Sequence, residues 1–379
     1  MATPAQALVP RPVGRSRLVG VDLARAVAIA GMMTIHVLPE DAPGLPGVLY
    51  ALAHGRASGL FAVLAGLSLG LSTRRTGPGR RERAAARVSV AVRGVLIALL
   101  GLLLVDVGSV VAIILMYYGL AFVVVLPALF LPRRVLAALA GAWFLLGPVA
   151  GALLRGAYGL PAEWEQPTLL SLADPVHLLQ TLALTGYYPV AGWTAYLLLG
   201  LALSRLDLRA AVTAVRVLAL GAVLAAGSWL VAGALATRAP FDVSAGDFHG
   251  TAPADSWWWL TAVEPHSGTP LDLLHTAGCG LVVLGALLLL PHAVTRFLSP
   301  VAAFGALPLT MYTAHVVALA AHPGDTPGLL GAHVLVGVAA ATAWRPLLGR
   351  GPLEQAVGAV AAGAAELVRG PAGAPAPGR

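Results

Sequence analysis

The residues of this chain best suited to proton chemistry near neutral pH are its ten histidines, because imidazole takes up and returns a proton close to pH 6.5. Several stand in periodic apolar segments. In 19–38, Asp22, Arg25, Ile29, Met32 and His36 recur at steps of three and four, which on a helix is one stripe. At 1.5 Å per residue, Asp22 and His36 lie ~21 Å apart along it. In the next segment His54, Ser58, Phe61, Ala65 and Ser68 share a stripe, with Arg56 beside its start; in 299–320, Pro308, Tyr312, His315 and Leu319 share another, which His322 continues just beyond it. Acyl transfer is one reaction such groups could perform. It needs a base for the acceptor's proton and a donor for the developing oxyanion. His36 or His54 suits the first role, and Arg56 or Tyr312 the second. His315, a further catalytic candidate, is expected at similar depth, as are His266 and His275, the last two as acceptor contacts. Plainer readings stand beside these: hydrogen-bonded core histidines, an Asp22–Arg25 pair that anchors a helix end, and an Arg56 that snorkels to headgroups.

Other chemistries find no motif. There is no His-Glu-x-x-His spacing, and the single cysteine, Cys279, excludes an intramolecular disulfide and any multi-cysteine zinc site. No metal is expected. Nor is there a convincing Walker loop, dinucleotide fingerprint or Gly-x-Ser-x-Gly elbow.

The elements that position these residues are helices in a bilayer. Of 379 residues, 58% are hydrophobic and 11% charged, against roughly a quarter charged in a soluble domain. Apolar runs of the length that crosses a membrane recur throughout. The expected fold is all-α: a polytopic bundle of about ten transmembrane helices at 19–38, 48–71, 87–105, 109–131, 135–153, 188–204, 211–236, 271–291, 299–320 and 328–348. Residues 353–369 could form a short eleventh, amphipathic helix. The organisation is a cytoplasmic arm (1–18), a single transmembrane domain (19–369) and a disordered tail (370–379), with the first helix retained and not cleaved as a signal.

All 24 basic residues are arginine. With both termini inside, Arg74, Arg75, Arg80, Arg81, Arg83, Arg87, Arg133, Arg134, Arg205, Arg209, Arg296, Arg345 and Arg350 fall on inner segments, and only Arg56, Arg155 and Arg238 fall outside. That asymmetry orients the chain in the cell membrane and explains the net charge of +7 without nucleic acid. Small residues four apart on the second helix, Gly55/Gly59 and Gly66/Gly70, suit close helix packing. The oligomeric state is open between a monomer and a homo-oligomer.

Two stretches carry a resemblance. Arg17-Leu-Val-Gly-Val-Asp22-Leu-Ala-Arg25 through Gly31-Met32-Met-Thr-Ile-His36, and His54-Gly-Arg56-Ala-Ser-Gly-Leu-Phe61-Ala-Val-Leu-Ala-Gly66, resemble bacterial membrane proteins of the heparan-α-glucosaminide N-acetyltransferase catalytic-domain-like family. Tyr188-Pro-Val-Ala-Gly-Trp193-Thr-Ala-Tyr196, His266-Ser-Gly-Thr-Pro270, Pro308-Leu-Thr-Met-Tyr312-Thr-Ala-His315 and Gly351-Pro-Leu-Glu354 are similar to a related membrane family. The resemblance implies a transmembrane acyltransferase that takes acetyl from cytoplasmic acetyl-CoA to a sugar, glycan or lipid head-group acceptor on the far side. By it, His36 stands where the family has an assisting asparagine. The loop 39–47 carries no histidine where the family has its catalytic one, so an acetyl-histidine route and direct transfer with His36 or His54 as base both stay open. Asp22, Arg25, Arg74, Arg75 and Arg93 are the candidates to meet CoA, the arginines at its phosphates. A small-solute transporter with a histidine proton relay is the alternative.

Overall fold

The computed structural model describes residues 18–108 and 111–370, so the expected arm (1–18) and tail (370–379) lie almost wholly outside the described residues. These fold into helices and loops without strands. In chain order the helices are α1 (Val19–Val37), α2 (Leu45–Ala53), α3 (Arg56–Thr73), α4 (Arg80–Asp106), α5 (Leu115–Val124), α6 (Arg133–Tyr158), α7 (Pro175–Gln180), α8 (Val190–Leu203), α9 (Ala211–Ala236), α10 (Pro270–Leu288), α11 (His292–Phe297), α12 (Ser299–Gly305), α13 (Pro308–Ala321), α14 (Pro327–Leu348) and α15 (Pro352–Arg369). Among the described residues, seven helices are long and apolar enough to cross a membrane, or eight if the bent pair α12–α13 counts as one span. The apolar helices α5 and α8 have only 10 and 14 residues, short of the ~20 that a straight span needs.

The centre of the bundle is α1, α3, α8 and α10. Helix α1 packs on α3, α10 and α12; α3 packs on α8 and α10; α6 covers α8, α9 covers α10, and α4 lies against α5 and α15. Small residues set the closest of these approaches. A Cβ on Gly66 would stand 2.2 Å from the Leu197 carbonyl oxygen, so α3 and α8 meet backbone to backbone there, as small-residue pairs allow. The outer helices turn apolar side chains outward: Leu335 and Val336 of α14 are 71% and 67% exposed. Aliphatic surface on this scale suits lipid, not water.

Two expected helices are each broken in two, and both breaks matter. The segment 48–71 divides at His54-Gly55. Gly55 has φ +70° and comes so near Pro265 that a Cβ would stand 2.9 Å away, a conformation only glycine takes without cost. His54 is thus held at a corner. The segment 299–320 divides between Gly305 and Pro308, with an 80° bend. Proline bars the α-region to the residue before it, and Leu307 sits at φ −120°, ψ 51°. The new N-terminus of α13 is therefore opened inside the bundle. Expected helix 109–131 is shorter, ending at Val124 before a 3-10 turn, Leu126–Phe130, that contains Pro127.

The bundle has two chemically distinct ends. At one, Arg83 and Arg87 lie over the Phe130 ring, Arg205 donates to the Leu129 carbonyl, and Gly20 packs on Leu287. At the other lie His36, His54, His266 and the long segments 159–189 and 237–269. These are called the arginine end and the histidine end below.

Candidate active site

At the arginine end, α1, α3, α4, α5, α13 and α15 enclose a cavity of about 510 Å³. Arg25, Arg93 and Arg350 line it. Arg25 is fixed by the stripe on α1: Nη1 donates to Asp22 at 2.7 Å, and Nη2 to Ser68 Oγ on α3 at 2.7 Å. Asp22 is buried, so the pair is an internal clamp and not a frayed helix-end anchor. Arg93 and Arg350 are close enough for their charges to interact, and the buried Nε of Arg93 makes no hydrogen bond. Guanidiniums gathered in this way suit phosphate oxygens, which they bind by charge-assisted hydrogen bonds.

The fourth charged group of the cavity is Glu354, at the start of α15. It accepts from the backbone N–H groups of Leu309 and Thr310 at 2.8 and 3.1 Å and from Thr310 Oγ1 at 2.5 Å. A carboxylate belongs at the positive end of a helix; here it caps the N-terminus exposed by the Pro308 break.

Tyr118 also lines the cavity. Its hydroxyl donates to the Ser58 carbonyl at 3.0 Å and lies within electrostatic range of Tyr312. Tyr312 in turn packs edge-on to His36, with ring centroids 6.5 Å apart. The Tyr312 hydroxyl accepts from Ile114 N–H at 3.4 Å, which leaves its own hydrogen to donate. The segment before α5 that presents Ile114 is held by Gln166, which accepts from Ile113 N–H at 2.6 Å and donates to the Val111 carbonyl at 2.9 Å.

The histidine end holds three polar groups, not one. In the first, His36 Nδ1 lies 3.2 Å from His315 Nε2, and His315 Nδ1 lies 2.7 Å from His333 Nδ1. His315 is buried and uses its two nitrogens in opposite directions, so the three imidazoles form a line. Each neighbouring pair shares one proton, and reversing every bond carries a proton from one end to the other. A line does not converge on a point, and among the described residues no set of His, Cys, Asp or Glu is arranged to hold a metal ion.

The second group is His54 and His266, with ring centroids 5.4 Å apart, set among Tyr50, Tyr187 and Tyr188. His266 has φ +62°, an uncommon conformation for a residue with a Cβ. It is buried and its Nδ1 has no partner. Burial, and then the neighbouring His54 and His249 imidazoles, push its pKa down to about 3. In the third group, Arg56 Nη2 approaches His275 Nε2 at 3.3 Å. His275 Nδ1 lies 2.9 Å from the Ala225 carbonyl, which can only accept, so Nδ1 carries hydrogen. In the neutral ring Nε2 is then the acceptor, for Arg56 and for the Cys279 thiol at 3.6 Å.

The structure thus joins Arg25 with Arg93 in one cavity, with Asp22 paired to Arg25, His36 with Tyr312 and His315, His54 with His266, and Arg56 with His275. It does not bring the five histidines expected at one depth to one point, because equal depth does not fix the side of the helix they face. Arg74 and Arg75 are exposed past the end of α3 and do not line the cavity. Sequence reasoning missed His333, Arg350, Tyr118, Gln166 and the role of Glu354. Glu354 stood within a motif that carried resemblance, the one signal that could have singled it out.

The sequence model of the family "heparan-alpha-glucosaminide N-acetyltransferase, catalytic" matches residues 17–235, more than half of the chain. The chain belongs to this family. No curated protein matches it. A chain of this family with seven to eight apolar helices is a membrane transferase of the acetyltransferase kind, which leaves the transporter reading without support. The matched region includes Asp22, Arg25, His36, His54, Arg56 and Arg93; His266, His275, Tyr312, His315, His333, Arg350 and Glu354 lie beyond it.

Proposed function

We propose that this protein carries an acyl group, acetyl first of all, from cytoplasmic acyl-CoA to a sugar, glycan or lipid head-group acceptor outside the cell membrane. One observation carries the reading: three guanidiniums, from Arg25, Arg93 and Arg350, line one cavity, with Tyr118 in its wall and within electrostatic range of Tyr312, whose ring packs against His36. The arginines would hold CoA phosphates at one end, with the thioester toward the other.

The chain's own groups suit direct transfer. His36 Nδ1 is engaged by His315, which leaves Nε2 to take the acceptor's N–H or O–H proton as the acceptor attacks the thioester carbonyl. Tyr312 is the candidate donor to the carbonyl oxygen. When the carbon–sulfur bond breaks, the electron pair leaves with the CoA sulfur. The proton on His36 passes along His315 and His333 to water, and the CoA thiolate takes up a proton from water as free CoA leaves. His54 and His266, with their tyrosines, face the acceptor; Arg56 is kept as a clamp by His275.

Release of free CoA from acetyl-CoA by the purified chain in nanodiscs, with amino-sugar, glycan and head-group acceptors in turn, tests the reading. Acceptor-dependent release that His36→Ala removes is the expected result. Unchanged release from His36→Ala would overturn the assignment of the base, and no release with any acceptor would overturn the function.

A further inference from the structure

Arg155 has no part in the reading above. It lies in the last turn of α6 at the histidine end and is only 5% exposed. Its Nη2 donates to the Ala252 carbonyl at 2.6 Å, while its Nε is buried without a partner. A guanidinium keeps its charge, and a buried charge lacking a counter-charge is costly. No carboxylate among the described residues pairs with it. The negative end of the α6 dipole offsets part of the charge but gives Nε no acceptor.

Arg155 faces a small cavity of about 20 Å³. A second wall is Thr251, also buried, whose Oγ1 likewise has no partner. A third is the start of α8, through its N-cap residue Pro189 and through Ala191 and Gly192 of its first turn. Helix N-termini favour negative charge. No acidic side chain lines the space. A buried guanidinium, a buried hydroxyl and a helix N-terminus therefore surround room for one particle the size of a water or a halide. Water would fill the space but bring no charge.

We propose that this is a binding site for a single small monovalent anion of about chloride size. The ion would tie the end of α6 to the start of α8 and to the segment carrying Thr251. Ser267 also lines the cavity and directly follows His266, so occupancy would also steady the turn that presents His266. The site stands independently of the acyl-transfer reading.

The test is thermal unfolding of the purified full chain in detergent, with chloride titrated against gluconate at constant ionic strength. Comparison between variants removes general salt effects. The wild type should show a saturable rise in Tm with chloride, as for any ligand of the folded state. Thr251→Val keeps the guanidinium and removes the hydroxyl; it should need about tenfold more chloride for half the effect, as for a lost hydrogen bond to an ion. Arg155→Met should lose the response. If Arg155→Met does not fold, Thr251→Val still decides. Equal Tm in chloride and gluconate, or the same titration midpoint in wild type and Thr251→Val, would overturn the proposal and leave a water-filled site.

Discussion

At the arginine end, the polar groups surround an open volume. Arg25, Arg93 and Arg350 face a cavity of about 510 Å³, and the buried Arg93 Nε has no partner. At the histidine end, most of the polar groups are committed to one another: His36 to His315 to His333, and Arg56 to His275. The first arrangement suits recognition of a large anionic ligand from outside. The second suits chemistry, where groups must be held in place before a substrate arrives. The two regions should therefore fail in different ways when mutated.

The largest expected effect lies at the histidine end. His36→Ala should lower kcat by about a hundredfold or more, as for loss of a general base, while the KM for acetyl-CoA changes little. Arg350→Ala or Arg93→Ala should instead raise that KM about tenfold, the cost of a charge-assisted hydrogen bond, with kcat nearly kept. Arg74→Ala and Arg75→Ala should leave both unchanged. Steady-state kinetics on these variants would erase the contrast between the ends if the arginine variants lost kcat instead.

A third effect separates the ends by pH. Folded His266 stays unprotonated down to about pH 3, whereas the unfolded chain binds a proton near 6.5. Below pH 6.5 the unfolded state therefore holds more protons, and stability falls as pH falls, by up to about 1.4 kcal/mol per pH unit. His266→Gln should flatten the acid side of a Tm–pH curve; a curve parallel to wild type would show that His266 does not carry this sensitivity. The smallest effect is Glu354→Gln, which weakens the cap on α13 by about 1 kcal/mol and should lower Tm slightly in thermal unfolding.

The sequence made legible whatever depends on one helix alone. The stripe from Asp22 to His36 needed only helical periodicity, and Arg25 does reach Ser68 of the second stripe. Tyr312 and His315 share a face for the same reason. What stayed hidden depends on how helices meet. His333 is separated from His315 by the whole turn into α14, and no periodicity links them. Arg350 reads as one more inner arginine until α15 folds back on α4. Arg74 and Arg75 share that reading and stay exposed, so charge bias alone could not sort binders from topology signals. The breaks at Gly55 and Pro308 lie within segments whose overall hydropathy reads as one span, and hydropathy is blind to backbone direction.

If the two ends serve two faces of one reaction, that reaction is sided across the bilayer. Proteoliposomes of uniform orientation can be given acetyl-CoA on the Arg25–Arg350 side alone, with acceptor on the other. Acetylated acceptor should appear on the histidine side, free CoA on the arginine side in equal amount, and neither when the two substrates exchange sides. Equal product from either arrangement, or acceptor crossing the bilayer without release of CoA, would contradict that sidedness.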